Sequence, residues 1–387
     1  MSHRTLKPET IAVTAGRMSA EHFGTVNTPV YRTSTILHPN YASLKAEASA
    51  RYNYGRIGTP STESFERAVA ELEGAVRTVS VPSGLSAITT AILSVVSSGD
   101  HILVSDNAYG PTRRFCNGAL KRAGVTTTYF DPTLGAGIEA LFQDNTKLVF
   151  TESPGSLTFE VCDIPAISAV AHRHGALVAM DNTWATPVYF PALKRGVDLS
   201  IQAATKYIGG HSDVMMGTIS VGENLATQLE TYVHDLGLFA SPDDCFLALR
   251  GLRTMPVRLA RHWGNGLMLA RWLKERPEVV RVLHPALESD PGHTLWKRDF
   301  SGACGLFGVV LKPVSEAKLA AFMDGLAHFG LGYSWGGYES LIIPAHFVRT
   351  ATKFAADGPV IRIHAGLEDP GDLVADLAAG FARMEAA

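Results

Sequence analysis

Between residues 77 and 204 short apolar runs recur, most of them separated by helical patterns. In order they are "RTVSV", a helix from about Gly84, "HILVSD", a helix through "RRFCNGALKRAG", "TTTYF", "KLVFTE", a helix across "IPAISAVAHRHG", "ALVAMDN" and "DLSIQAA". Strands alternating with helices call for crossover connections. They predict an α/β architecture, a mostly parallel central sheet with helices on both faces. In such sheets ligands bind beyond the carboxyl ends of the strands, so the residues just after each apolar run are the ones to inspect.

The flanks read differently. Residues 1–58 are rich in Thr, Pro and Tyr without a sustained period, as expected for an extended arm that packs on something else. "TPSTESFERAVAELEG" then predicts a helix: Thr59 can cap it, Pro60 suits the first turn, Phe65, Val69 and Leu72 share a face, and Gly74 stops it. After "LALRGLRTM" comes a long basic and apolar helix through "VRLARHWGNGLMLARWLKER", then the strands "GLFGVVL" and "VIRIH" and a helix from about Pro370. The expected organisation is an arm (1–58), a ligand-binding domain (59–250) and a smaller α+β C-terminal domain (251–387). A chain of 387 residues has the length for that division.

A formal net charge of −3 with no run of five or more like charges argues against nucleic acid and anionic membranes as partners. "MSHRTLKPET" lacks the layout of a signal peptide, and no apolar run approaches the roughly eighteen residues of a membrane span, so a cytoplasmic location is expected. Cys116, Cys162, Cys245 and Cys304 are scattered and form no CxxC pair, the pattern of free buried thiols. His172 and His174 read as imidazoles at a helix end, and no metal site is expected.

Three features follow apolar strands. In "SVPSGLSAI" the strand gives way to Pro82, Ser83 and Gly84, so the N–H groups of Gly84 and Leu85 and the Ser83 hydroxyl can surround an anion at a helix N-terminus. Taken alone, this is equally an ordinary cap. In "ALVAMDNTWATP", Asp181 ends a strongly apolar strand and wants a cationic partner, for which a protonated heterocycle or an arginine would serve. In "AATKYIGGHSD", Lys206 follows an apolar strand, where an unpaired ammonium is costly. Together, an anion pocket, an acid and an amine meet the needs of pyridoxal phosphate: a cradle for the phosphate, an acid for the pyridine nitrogen and a lysine for the aldehyde.

At this point the sequence resembles the cysteine and methionine metabolism family of pyridoxal phosphate enzymes over nearly its whole length. The resemblance rests on "YGRIGTP", "SGLSA", "YGPTRRFC", "ESPGS", "DNTWATP", "ATKYIGGHSD", "GYSWGGYESL" and "IRIHAGLED", in that order. It implies the type I fold of pyridoxal phosphate-dependent transferases and a homotetramer built from dimers. "SWGGYES", Pro111 and Ser156 favour the β-eliminating lyases over the γ-lyases and γ-synthases of the same family. The activity implied is α,β-elimination of L-cystathionine, an amino-acid substrate.

By this resemblance Lys206 would form the Schiff base with the cofactor and then move the α-proton, and Asp181 would face the pyridine nitrogen. Tyr109 would stack on the ring and assist in proton handling. Ser83, Gly84, Leu85 and Thr205 would bind the phosphate, joined by Tyr54 and Arg56 from the arm of a neighbouring subunit, with Tyr54 also near the substrate. Arg362 would hold the substrate α-carboxylate beside Ser334 and Trp335, with Tyr333 nearby. One departure is Ala203, where relatives often carry a phosphate-binding serine. His211 and Asp213 would only shape the loop after Lys206. A γ-acting enzyme and a non-catalytic protein on the same fold are the competing readings.

Overall fold

The computed structural model describes residues 6–46 and 50–387. Its larger sheet has seven strands: β1 (Arg77–Val81), β2 (His101–Ser105), β3 (Thr126–Phe130), β4 (Thr146–Glu152), β5 (Leu177–Asp181), β6 (Leu199–Gln202) and β7 (Gly217–Val221). They lie in the order β1-β7-β6-β5-β4-β2-β3. The run from β6 to β3 is parallel, and β7 runs antiparallel between β1 and β6. The expected mostly parallel α/β sheet is therefore present, with one strand, "GTISV", that the apolar pattern does not announce. Helices on both faces explain why β2, β6 and β7 are buried at every position.

The helix Pro60–Glu73 forms as its sequence predicts. Thr59 caps it by accepting a hydrogen bond from Thr62 N at 3.3 Å, and Gly74 ends it at φ +69°. Phe65, Val69 and Leu72 are buried along one face, each stabilising the fold by about 1.5–3 kcal/mol. Part of the arm packs here too: Ala12 and Ala15 are buried, and their carbonyls accept from Arg253 Nη1 at 2.9 and 2.7 Å.

A second sheet, in the order β10-β11-β12-β9-β8, contains β8 (Val279–Leu283), β9 (Leu306–Leu311), β10 (Phe329–Leu331), β11 (Ser340–Pro344) and β12 (Val360–His364). Along β12 the two-residue period sends Ile361 and Ile363 into the second sheet's own core, so Arg362 and His364 point to the opposite face. The helix Pro242–Lys274 runs unbroken through residue 251, where the sequence pattern places the start of the second domain. Gly251 lies in it because a Cβ would sit 2.2 Å from Gly209 O and 2.3 Å from Ile208 O. The helix is thereby pressed onto the turn just after Lys206.

Candidate active site

Several strands of the large sheet end in residues that matter. After β1, Ser83 caps the helix Gly84–Leu93 by accepting from Ser86 N at 3.0 Å. The N–H groups of Gly84 and Leu85, at the first two helical positions, have no intrahelical acceptor and point outward, available to an anion. Gly84 is required here, because a Cβ would lie 2.6 Å from that of Ala203. Ala203 thus brings the Lys206 loop against the helix start. The Thr205 hydroxyl is held to Met216 by two hydrogen bonds, donating to its carbonyl at 3.2 Å and accepting from its N–H at 3.0 Å.

Asp181 ends β5 almost fully buried. Its Oδ1 accepts from Thr183 N at 3.0 Å and from Thr183 Oγ1 at 2.5 Å. Burial raises its pKa, and the Thr183 bonds and the charge of Lys206 oppose the rise. Lys206 titrates at about 8, lowered chiefly by burial and then by Arg362, against the pull of Asp181. This amine loses its proton far more easily than an exposed lysine and is suited to carbonyl chemistry.

The loop leading into β11, and β12 beside it, close the site from the other side. Ser334 Oγ lies 2.6 Å from Lys206 Nζ, and the Trp335 ring centroid is 5.3 Å from the same nitrogen. The loop is tightly turned, with φ of +79° at Ser334 and +84° at Gly336. Arg362 Nη2 donates to Ser334 O at 2.8 Å and Gly332 O at 3.2 Å, and Gly336 N donates to His364 Nε2 at 3.1 Å. Arg362 Nε is buried without a partner among the described residues. A guanidinium N–H left open beside a lysine is a ready receptor for a carboxylate oxygen.

Tyr109 follows β2, half-exposed toward this space. Burial raises its pKa, helped by Glu152 and Asp181 and opposed by Arg114 and Arg362. Its N–H donates to Glu152 Oε2 at 2.7 Å. Glu152, at the end of β4, is a site residue that the sequence alone does not single out. Tyr54 and Arg56 occupy the arm of the same chain, where Arg56 Nη1 donates to His234 O at 2.9 Å and Tyr54 pairs with Thr35. Tyr333 is exposed at the rim. His172 and His174 bond to Asp198 at 2.9 Å and Glu139 at 3.2 Å, and His211 Nδ1 contacts Gly209 O at 2.8 Å.

A buried acid, an easily deprotonated lysine and a free helix N-terminus at one sheet edge define an enzyme built around an aldehyde cofactor with a phosphate. The chain belongs to the Cys/Met metabolism PLP-dependent enzymes, whose family profile matches residues 9–382. It is 44% identical to the cystathionine beta-lyase MetC of Escherichia coli, over 98% of this chain and 99% of that one. It is 40% identical to the L-alanine/L-glutamate racemase of Wolbachia pipientis, over 98% of each. The solved cystathionine gamma synthase of Xanthomonas oryzae pv. oryzae, in complex with aminoacrylate and cysteine, superposes with a TM-score of 0.91 at 34% identity, covering 98% of this chain and 99% of the other. Pyridoxal phosphate is the family's cofactor, and the site's buried acid and unpartnered Arg362 Nε suit it and an amino-acid substrate.

Proposed function

We propose that this enzyme cleaves L-cystathionine by α,β-elimination, with water giving L-homocysteine, pyruvate and ammonia, a step of methionine biosynthesis. Related cysteine thioethers would be cleaved in the same way. The observation that carries β- over γ-elimination is the 44% identity across nearly the whole chain to a protein named cystathionine beta-lyase, against 34% to the γ-synthase. The "SWGGYES" loop supports the same choice.

Pyridoxal phosphate, when bound, supplies the electron-withdrawing ring that acidifies the substrate's α-carbon and lets the β-sulfur leave. The N–H groups of Gly84 and Leu85 with Ser83 and Thr205 would hold its phosphate, and Asp181 would keep its pyridine nitrogen protonated. Arg362, through its open Nε, orients the α-carboxylate. Lys206 would hold the cofactor through its amine, and that amine, when free, would take the substrate's α-proton and pass it to the departing sulfur. A pKa near 8 lets one nitrogen serve as base and then acid. Ser334 Oγ keeps Lys206 Nζ aimed, Tyr109 packs on the cofactor and assists proton handling, and Trp335 closes the pocket.

The reading includes assembly into a homotetramer and a cytoplasmic setting. No helix among the described residues is long and apolar enough to cross a membrane. Phe23, Leu37 and Tyr41 of the arm are exposed apolar side chains suited to a neighbouring copy, and Tyr54 and Arg56 would complete that neighbour's phosphate site.

The test is product identification with L-cystathionine and, separately, with L-alanine. Pyruvate with homocysteine supports the proposal. 2-Oxobutanoate with cysteine moves the enzyme to the γ-acting group, and D-alanine formation without keto acid moves it to the racemases.

A further inference from the structure

Glu152 stands beside Asp181 in the parallel register of β4 and β5. Paired residues of parallel neighbours leave the sheet on the same face, so two carboxyl groups share one sheet edge. Like charges so placed do not both ionise readily. The donors around them are unequal. Asp181 receives both the N–H and the hydroxyl of Thr183, with Lys206 nearby. Glu152 receives the Tyr109 N–H, a bond that the carbonyl oxygen of a neutral acid accepts as well. Of the charged groups around it, Arg349 is bonded to Glu160 at 2.8 Å, and Arg114 and Arg362 act on Tyr109. Among the described residues no ion pair holds Glu152 as an anion.

We infer that Glu152 is the neutral member of a pair that carries one charge, and that it positions Tyr109 through its backbone while leaving Asp181 the single anion facing the cofactor. Burial first and then the charge of Asp181 raise the Glu152 pKa well above the usual carboxylate range, outweighing the Tyr109 N–H and the Arg349 charge, in agreement with this assignment. The inference rests on reading Asp181 as the partner of the pyridine nitrogen. It adds a positioning residue that touches neither the lysine nor the phosphate cradle.

The test compares Glu152→Gln and Glu152→Leu holoenzymes, titrating the absorbance of the lysine-bound cofactor against pH and measuring cofactor dissociation. Glutamine keeps an acceptor and adds no charge, so the spectroscopic pKa should stay within about 0.3 units of the parent and cofactor affinity within about twofold. Leucine leaves the Tyr109 N–H unpaired and should weaken cofactor or substrate binding about tenfold, a loss that glutamine rescues. A fall of about a unit or more in the glutamine variant overturns the inference. That is the signature of removing a real anion, because one pKa unit corresponds to about 1.4 kcal/mol of lost attraction. Parent-like binding by the leucine variant overturns the positioning role. If the site reading itself is wrong, the parent shows no lysine-bound absorbance, an outcome distinct from either.

Discussion

Gly336→Ala tests whether the "SWGG" loop sets the position of Lys206. A Cβ at residue 336 would lie 2.9 Å from Lys206 C, 3.0 Å from its Cα and 3.0 Å from Tyr207 N. All three are backbone atoms that cannot rotate aside, so the loop has to retreat. Alanine at φ +84° adds left-handed strain of roughly 1–2 kcal/mol. Together with the packing that a retreating loop gives up, we expect a stability loss of about 2–4 kcal/mol. The retreat also pulls on the 2.6 Å Ser334–Lys206 bond and the 2.8 Å Arg362–Ser334 bond. Misplacement approaching 1 Å costs on the order of 100-fold in rate, so kcat/KM should fall by about that factor. Gly337→Ala is the comparison, because its Cβ would meet the side-chain ends Ser212 Oγ and Glu339 Oε2, which can swing away. Pyruvate release followed alongside thermal unfolding reads both effects. Gly336→Ala with kcat/KM within about threefold of the parent and an unchanged Tm would refute the reasoning.

Three further outcomes are expected. Arg362→Lys replaces a fork by a point charge and should raise KM for L-cystathionine about 10- to 100-fold with a smaller change in kcat, and a KM within about twofold of the parent would remove Arg362 from carboxylate binding. Apoenzyme should capture pyridoxal phosphate faster as pH rises, half-maximally near 8, because the Lys206 amine there sheds a proton that an ordinary lysine keeps; a flat rate from about pH 7 to 9 contradicts this. Co-assembled Lys206→Ala and Arg56→Ala chains should recover about a quarter of parental activity if each arm completes a neighbour's site, whereas activity no higher than the sum of the separate variants places Arg56 outside it.

The residues that sequence exposed best are those whose meaning is local. Asp181 and Lys206 stand out because one ends and the other closely follows a predicted buried strand, where a charge is conspicuous. Thr59, Pro60 and Gly74 bound their helix by short-range capping alone. Glu152 also ends a visible apolar run, "KLVFTE", yet its significance depends on β5 lying beside β4 in register, a pairing between distant segments. β7 escapes notice for a similar reason: "GTISV" is as long as "RTVSV", but its place between β1 and β6 comes from antiparallel pairing with segments distant in sequence. The change of pattern near residue 251 marks no break in the chain. One helix crosses it, and what changes is the packing partner, as Gly251 against Gly209 and Ile208 shows. Arg362 is visible through a motif, but its open Nε and its hold on Ser334 O belong to the folded loop.

Borohydride reduction of the purified holoenzyme followed by peptide mass mapping tests most directly whether Lys206 is the amine that anchors the cofactor. The expected result is a stable phosphopyridoxyl group on the peptide containing "AATKYIGGHSD", borne by Lys206 and absent after prior exchange with excess amino-acid substrate. A reduced adduct on another lysine, with Lys206 unmodified, would contradict it.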